Sequence, residues 1–213
     1  GAINGFLISR FRIAPFIVTL AMFSIARGTA VVLTSGYYLS GLPDAFLVIG
    51  RGKFLGLPIS IIVVVSLLVI LGVLLKRSRF FNQMYFVGKN PEAAELSGMD
   101  VKSVLFVGYM ISGFMAGIAA VIMTSRLAMG FSQFGLLAEL RAIAATVIGG
   151  ASFAGGSGSI PGAALGVILL ALINNGFVML NGSPDWQQAL SGFILLVAVG
   201  VDAYRRRKER KEA

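Results

Sequence analysis

The chain has 213 residues, 57% of them hydrophobic and 13% charged, with a formal net charge of +9. A soluble domain carries roughly 25% charged residues, so an ordinary water-soluble globule is excluded. Cys and His are both absent, which removes disulfides, Cys/His metal sites, thiol or imidazole catalysis and a histidine pH switch.

Residues 1–13 read as the end of a helix that reaches Arg10 and Arg12 and is broken by Pro15. The chain opens Gly-Ala-Ile-Asn without Met or a charged leader, so it shows no signal peptide, and upstream helices are expected to be missing from it. Residues 16–33 form the first full crossing, interrupted by Arg27. Residues 34–57 are a Gly/Pro/Tyr-rich connector holding Asp44, Arg51 and Lys53. Residues 58–75 form the second crossing, with Pro58 well placed near a helix start. Residues 76–102 read as a polar loop, residues 104–124 as the third crossing, and 126–138 as another connector. Residues 139–150 are too short to span alone, because a helix needs about 20 apolar residues to cross a hydrocarbon core. A Gly/Ser run follows. Residues 160–180 cross again, 181–185 turn, and 188–204 form the last crossing before a basic tail at 205–213.

The charge is placed as the positive-inside rule requires. Arg205, Arg206, Arg207, Lys208, Arg210 and Lys211 follow one apolar span, and Lys76, Arg77 and Arg79 follow another. If residues 139–150 count as a crossing, alternation puts these with Arg10, Arg12, Lys89 and Lys102. That is thirteen basic residues on one side against Arg51, Lys53 and Arg126 on the other. The thirteen mark the cytoplasmic face, and near an anionic leaflet each contributes about 1 kcal/mol. No folded basic face with interleaved aromatics exists, so nucleic acid is not an expected partner. The lipid bilayer is.

Inside residues 76–102, the stretch 88–100 (GKNPEAAELSGMD) reads as a short helix with a stop at each end. Asn90 caps it, Pro91 suits its first position, and Glu92 favours the positive end of its dipole. Gly98 can take the left-handed conformation that ends it, and Asp100 caps the helix that follows. Two turns are not stable alone, so something must pack on this knob, either its own bundle or another subunit.

The glycine run at 149–158 lacks the Lys-Ser/Thr pair of a phosphate loop, and Pro161 occupies the third glycine position of a dinucleotide fingerprint. It reads instead as a hinge, at Gly155, Gly156 and Gly158, joining a short helix to a full one beside a cavity. Gly113-x-x-x-Gly117 and Gly162-x-x-x-Gly166 allow close helix approach, within the chain or between two copies. Charged residues at membrane depth face protein or water. Arg27 and Glu139 are therefore expected to pair or to line the pathway, or else to snorkel to the interface. Arg141 lies nearby in the sequence. Asn174 and Asn175 either bridge helices or hydrogen-bond a solute hydroxyl.

Several stretches carry a resemblance: the loop 88–100, INGFLISRFRIAPFIVTLAMFSIARG, IGRGKFLGLP, ELRAIAATVIGGASFAGGSGSIPGAALG, INNGFVML, the Ser183–Gln188 turn and VDAYRRR. In these the chain resembles the permease subunits of ribose/galactose/xylose-type ATP-binding-cassette importers, over essentially its whole length. The resemblance implies an all-α polytopic transmembrane bundle of the type II importer kind, with broken or short helices. It implies one permease domain over 1–213, corresponding to about the C-terminal two thirds of such a subunit. It further implies that Asn90, Pro91, Glu92, Ala93, Ala94, Leu96, Ser97 and Gly98 form the element that docks in a separate ATPase subunit. ATP would bind there, leaving this chain with no catalytic residue and no cofactor. Two copies would enclose a path for a monosaccharide delivered by a periplasmic binding protein. The chain would sit in a bacterial inner membrane with its C-terminus cytoplasmic. A branched-chain amino-acid or nucleoside importer is the alternative cargo class. A self-contained ion-coupled carrier is disfavoured, because proton relays use Asp, Glu or His in mid-span and only Glu139 comes near that.

Overall fold

The computed structural model describes residues 1–181, 183, 186, 189 and 192–203. The tail arginines and lysines, and most of the Ser183–Gln188 turn, lie outside the described residues, as does the first part of the crossing expected at 188–204. Within them the chain is an all-α polytopic bundle. Helices α1 (Ala2–Phe11) and α2 (Pro15–Thr34) are followed by α3 (Asp44–Arg51) and a two-stranded hairpin, β1 (Lys53–Phe54) and β2 (Leu57–Pro58). Then come α4 (Ile59–Arg77), α5 (Arg79–Lys89), α6 (Pro91–Leu96), α7 (Val101–Leu127), α8 (Ala138–Ile148) and α9 (Ile160–Met179). A further apolar helix, α10, covers Gly192–Ala203. Four of these helices, α2, α4, α7 and α9, are long and apolar enough to cross a membrane, which makes this a multi-pass membrane protein.

The surface fits that environment. No residue of α4 is buried, and large apolar side chains such as Phe16, Val32, Val69 and Leu172 are exposed, as they are where the solvent is lipid. Several hydroxyls within the spans satisfy themselves locally. Thr19, Thr29, Thr34 and Ser66 each donate their hydroxyl to a carbonyl four residues back, so they carry no unmet donor into hydrocarbon.

Two sequence expectations need correction. Residues 34–57 are not a bare connector, because α3 and the hairpin lie within them. Asp44 in the first turn of α3 and Arg51 in its last both favour the helix dipole. The hairpin turns at Leu55 (φ 52°) and Gly56 (φ 82°), the paired positive-φ geometry of a tight two-residue turn. A leucine there conceals the turn from the sequence, because β-turn signals at φ > 0 rest on Gly, Asn or Asp. Residues 76–102 are likewise mostly helical, since α5 precedes α6. Phe80, Met84 and Val87 recur on one face of α5 and pack toward α6 and α7.

The packing sorts the loops into two ends. Helix α1 runs antiparallel to α7: Gly1 lies against Tyr109 and Gly113, Gly5 against Phe106, and Arg12 reaches Glu95 of α6. Helix α4 descends from the hairpin to Lys76 and Arg77, beside α5, while its second half and Tyr85 line a cleft with Ser159, Ile160 and Pro161. Arg10, Arg12, Lys76, Arg77, Arg79, Lys89 and Lys102 therefore share the α6 end. Arg51, Lys53 and Arg126 belong to the hairpin end, where α3 docks on the end of α7. Helix α8 has 11 residues and rises about 16 Å, half a bilayer. Even so, its C-terminal connector returns to α5 at the α6 end.

Candidate functional site

Helix α6 is built as the sequence indicated. The Asn90 side-chain oxygen accepts the Ala93 N–H at 3.0 Å, and Pro91 stands at the start of the helix. Glu92 lies in the first turn. At the other end the Ser97 hydroxyl donates to Ala93 O at 2.8 Å, and the Gly98 and Met99 N–H groups donate back to Glu95 O and Ala94 O. Gly98 turns with φ 80°, the left-handed stop that glycine supplies without penalty. The chain then enters α7 under a second cap: Asp100 accepts the Ser103 N–H at 3.2 Å and its hydroxyl at 2.5 Å. The Ser103 hydroxyl, and then its N–H, hold the Asp100 carboxyl below its ordinary value of 3.8.

The knob does not stand alone, and its own bundle supplies the support that two turns require. Ala94 is buried with Val87 of α5 and Val104 of α7, and Phe80, Met84, Met99, Val101 and Leu105 close around them. An ion pair adds a tie to the α1–α2 corner, where Arg12 Nη2 lies 3.2 Å from Glu95 Oε1. Both partners are exposed, so the pair orients more than it stabilises. One face of α6 is thus fixed while the other is presented outward. Leu96 is 91% exposed at the tip, and Phe86 of α5 is 58% exposed. Each is a large apolar side chain left uncovered by the chain's own packing. Neither Phe86 nor the pairing of Arg12 with Glu95 is indicated by the sequence reading. Phe86 could have been found, because it falls opposite the Phe80–Met84–Val87 face.

The residues expected along a pathway do not come together. Helix α2 packs mainly on α1 and α8 mainly on α9, so Arg27 and Glu139 belong to different packed pairs. The guanidinium of Arg27 lies 4.4 Å from the ring centroid of Phe23, one turn back, which holds the cation by its attraction to the ring face. Among the described residues the ion pair is Arg12–Glu95, so of the alternatives for Arg27 and Glu139 a pairing within this chain is not formed. Glu139 and Arg141 are exposed on α8, with Glu139 in its first turn. Asn174 is half-buried and Asn175 exposed on α9. Among the described residues neither amide bridges to another helix.

The glycine connector 149–159 is irregular, with Gly150, Gly155, Gly156 and Gly158 all at positive φ. Helices α8 and α9 on either side of it approach so closely that Cβ atoms at Gly149, Gly162 or Gly166 would strike the facing backbone. Ala144, Ala145 and Leu170 form the core of this pair, and Ile194 and Leu195 of α10 cover it. The 162/166 spacing is therefore used within the chain. Gly113 of the other repeat meets Gly1, while Gly117 has nothing within 4 Å.

The chain matches the family described as "Branched-chain amino acid transport system / permease component" over residues 1–199. It is 41% identical over 201 residues to the ribose import permease protein of Bacillus subtilis, covering 93% of this chain and 62% of that one. It is 35% identical over 208 residues to the L-arabinose transport system permease protein of Escherichia coli, covering 98% of this chain and 63% of that one. It is 31% identical over 221 residues to the galactose/methyl galactoside import permease protein of Haemophilus influenzae, covering 99% of this chain and 65% of that one. The chain thus spans less than two thirds of the length of each of these relatives. No solved structure matches it.

Proposed function

The chain belongs to the branched-chain amino-acid transport system permease-component family, and from that premise we propose that it is the membrane-spanning subunit of an ATP-driven importer of a monosaccharide. The observation that carries this reading is α6, a six-residue helix stopped at both ends, rooted by Ala94 and presenting Leu96 to a partner. So short a helix gains little for the fold itself, yet it is held in one orientation on three sides. That is the form required of a part that receives force from a separate motor.

In this reading ATP is bound and hydrolysed on ATPase subunits that grip Asn90, Pro91, Glu92, Ala93, Ala94, Leu96, Ser97 and Gly98. A periplasmic binding protein delivers the sugar at the hairpin end, and two copies of the subunit enclose the path. In this reading the membrane is a bacterial inner membrane and the α6 end faces the cytoplasm, which the seven basic residues gathered there support. Arg27, Glu139, Asn174 and Asn175 remain candidates for the path, completed by surfaces outside this chain. The sugar class rests on the printed names of the relatives, which specify ribose, L-arabinose and galactose. The family description names branched-chain amino acids instead.

The test is reconstitution with the cognate ATPase and binding protein, followed by uptake of labelled pentoses, hexoses and branched-chain amino acids. A sugar should be taken up with ATP hydrolysis. Leu96→Glu should lose copurification of the ATPase, because a carboxylate enters an apolar groove unpaired. Uptake of an amino acid and no sugar would reassign the cargo. Retention of the ATPase by Leu96→Glu would remove α6 from the docking role.

A further inference from the structure

Helix α6 packs on α5 and α7, whereas α8, α9 and α10 share a core of their own at Ala144, Ala145 and Leu170. Between them stands the glycine connector 149–159, which rests on the C-terminal turn of α5 backbone to backbone. A Cβ added at Gly88 would lie 2.7 Å from the Gly156 nitrogen and 3.2 Å from its Cα. One added at Gly156 would lie 2.8 Å from the Cα of Lys89, and one at Gly155 would lie 3.0 Å from Gly88 O. No flexible side chain cushions Gly88 against Gly155 and Gly156, so displacement of one segment must displace the other. Contacts this tight transmit strain instead of absorbing it.

Two directed bonds fix the register of this contact. The Tyr85 hydroxyl donates to Gly158 O at 3.2 Å, reaching from α5 to the residue before the α9 cap. The Phe153 N–H donates to the Asp202 carboxylate at 3.2 Å, which ties the same connector to α10. The connector is also braced internally by Ser152 N–H donating to Ser157 O at 3.0 Å. At its far sides Gly149 and Gly162 hold α8 and α9 together. An irregular segment is thereby held by α5 on one side and by α8, α9 and α10 on the other.

We propose that this contact is the transmission point of the knob: motion imposed on α6 passes through Gly88 and Tyr85 into the connector and turns α8, α9 and α10 as one body. The inference rests on the reading of α6 as the ATPase-docking element and goes beyond it by naming where the force leaves the loop. Gly88, Gly156 and Tyr85 are positioning residues that touch neither solute nor nucleotide. Their glycine identity has a specific cause, since any side chain at 88 or 156 would pry the two segments apart.

The experiment uses the assembled importer in proteoliposomes and reads solute taken up per ATP hydrolysed. Gly88→Ala should keep the ATPase bound and hydrolysing while uptake per ATP falls by about tenfold, the size expected when a coupling route is weakened. Tyr85→Phe removes only the bond to Gly158 and covers the case in which Gly88→Ala does not assemble. It should lower uptake per ATP by about threefold with the KM for solute unchanged. Ile70→Val, at an exposed position of α4, is the control and should behave as the unaltered chain. If Tyr85→Phe, or an assembled Gly88→Ala, keeps uptake per ATP within twofold of the unaltered chain, the transmission role is overturned while the importer reading stands. If the unaltered chain neither binds an ATPase nor moves solute with it, the importer reading fails and takes this inference with it.

Discussion

The two ends of the bundle are held by different physics. At the α6 end the order comes from local devices. Asn90, Asp100 and Ser159 each accept an N–H three residues on, and Gly98 and Pro91 set the stops. At the hairpin end it comes from contacts between distant segments, with one buried group at their centre. Ser125 is fully buried, its oxygen accepts the Gly50 N–H at 2.7 Å, and its single proton is shared between Phe46 O and Leu47 O. That one hydroxyl stitches α3 to α7 across some 75 residues of sequence. Many small local terms make an end that tolerates damage piecemeal, whereas a long-range docking centred on one buried hydroxyl concentrates the damage at a point.

This contrast can be broken by substitution, and the largest effect should come from the stitch. Gly50 has no room for a side chain, since a Cβ there would run into the backbone of Ser125 and Arg126. Gly50→Val should therefore separate α3 from α7 and cost about 3 kcal/mol of stability, read as a lowered unfolding midpoint in detergent. Ser125→Ala keeps the space but leaves the Gly50 N–H buried and unpaired, at a cost of about 2 kcal/mol. Should Ser125→Ala prove silent in the same measurement, the idea of a point attachment is wrong.

The α6 end should respond more weakly at each site. Asn90→Ala deletes one cap and should cost about 1 kcal/mol, while Asn90→Ser or Asn90→Asp should restore most of it. The smallest effect is a pH dependence at Asp100, whose carboxyl sits below its usual 3.8 through Ser103. A carboxyl with a depressed folded value stabilises fully above its unfolded value and loses that contribution as the pH falls through the folded one. The unfolding midpoint should therefore drop on acidification below about pH 4, with the unfolded carboxyl as reference. Asp100→Asn should flatten that part of the acid limb. An unchanged acid limb in Asp100→Asn would show that the Ser103 bonds do not act through charge.

The same contrast explains what could be read in advance. The α6 cap, its glycine stop and the Asp100 cap were legible because each is made by residues within about four positions of one another. The membrane spans were legible for a related reason, since length and apolarity suffice where the solvent is hydrocarbon. Helix α5 hid behind its polar residues although Phe80, Met84 and Val87 carried a helical period. The hairpin hid because Leu55 occupies a positive-φ position normally marked by Gly or Asn. Three fates were open to Arg27 and Glu139, namely pairing, lining a pathway and snorkelling, and the sequence could not choose among them. Nothing local revealed that Phe23 already held the cation, or that α2 and α8 pack on different neighbours.

The amino-acid sequence by itself determined the class of protein, the four long spans, the gathering of basic residues at one end and the capped knob among them. All of these follow from transfer of side chains between water and hydrocarbon or from hydrogen bonds within one helical turn. Tertiary structure alone decided that the knob is rooted through Ala94, that Ser125 stitches α3 to α7, and that the glycine connector lies against Gly88. Those contacts depend on backbones brought together from distant parts of the chain. A glycine or a serine looks the same in sequence whether such a neighbour arrives or not.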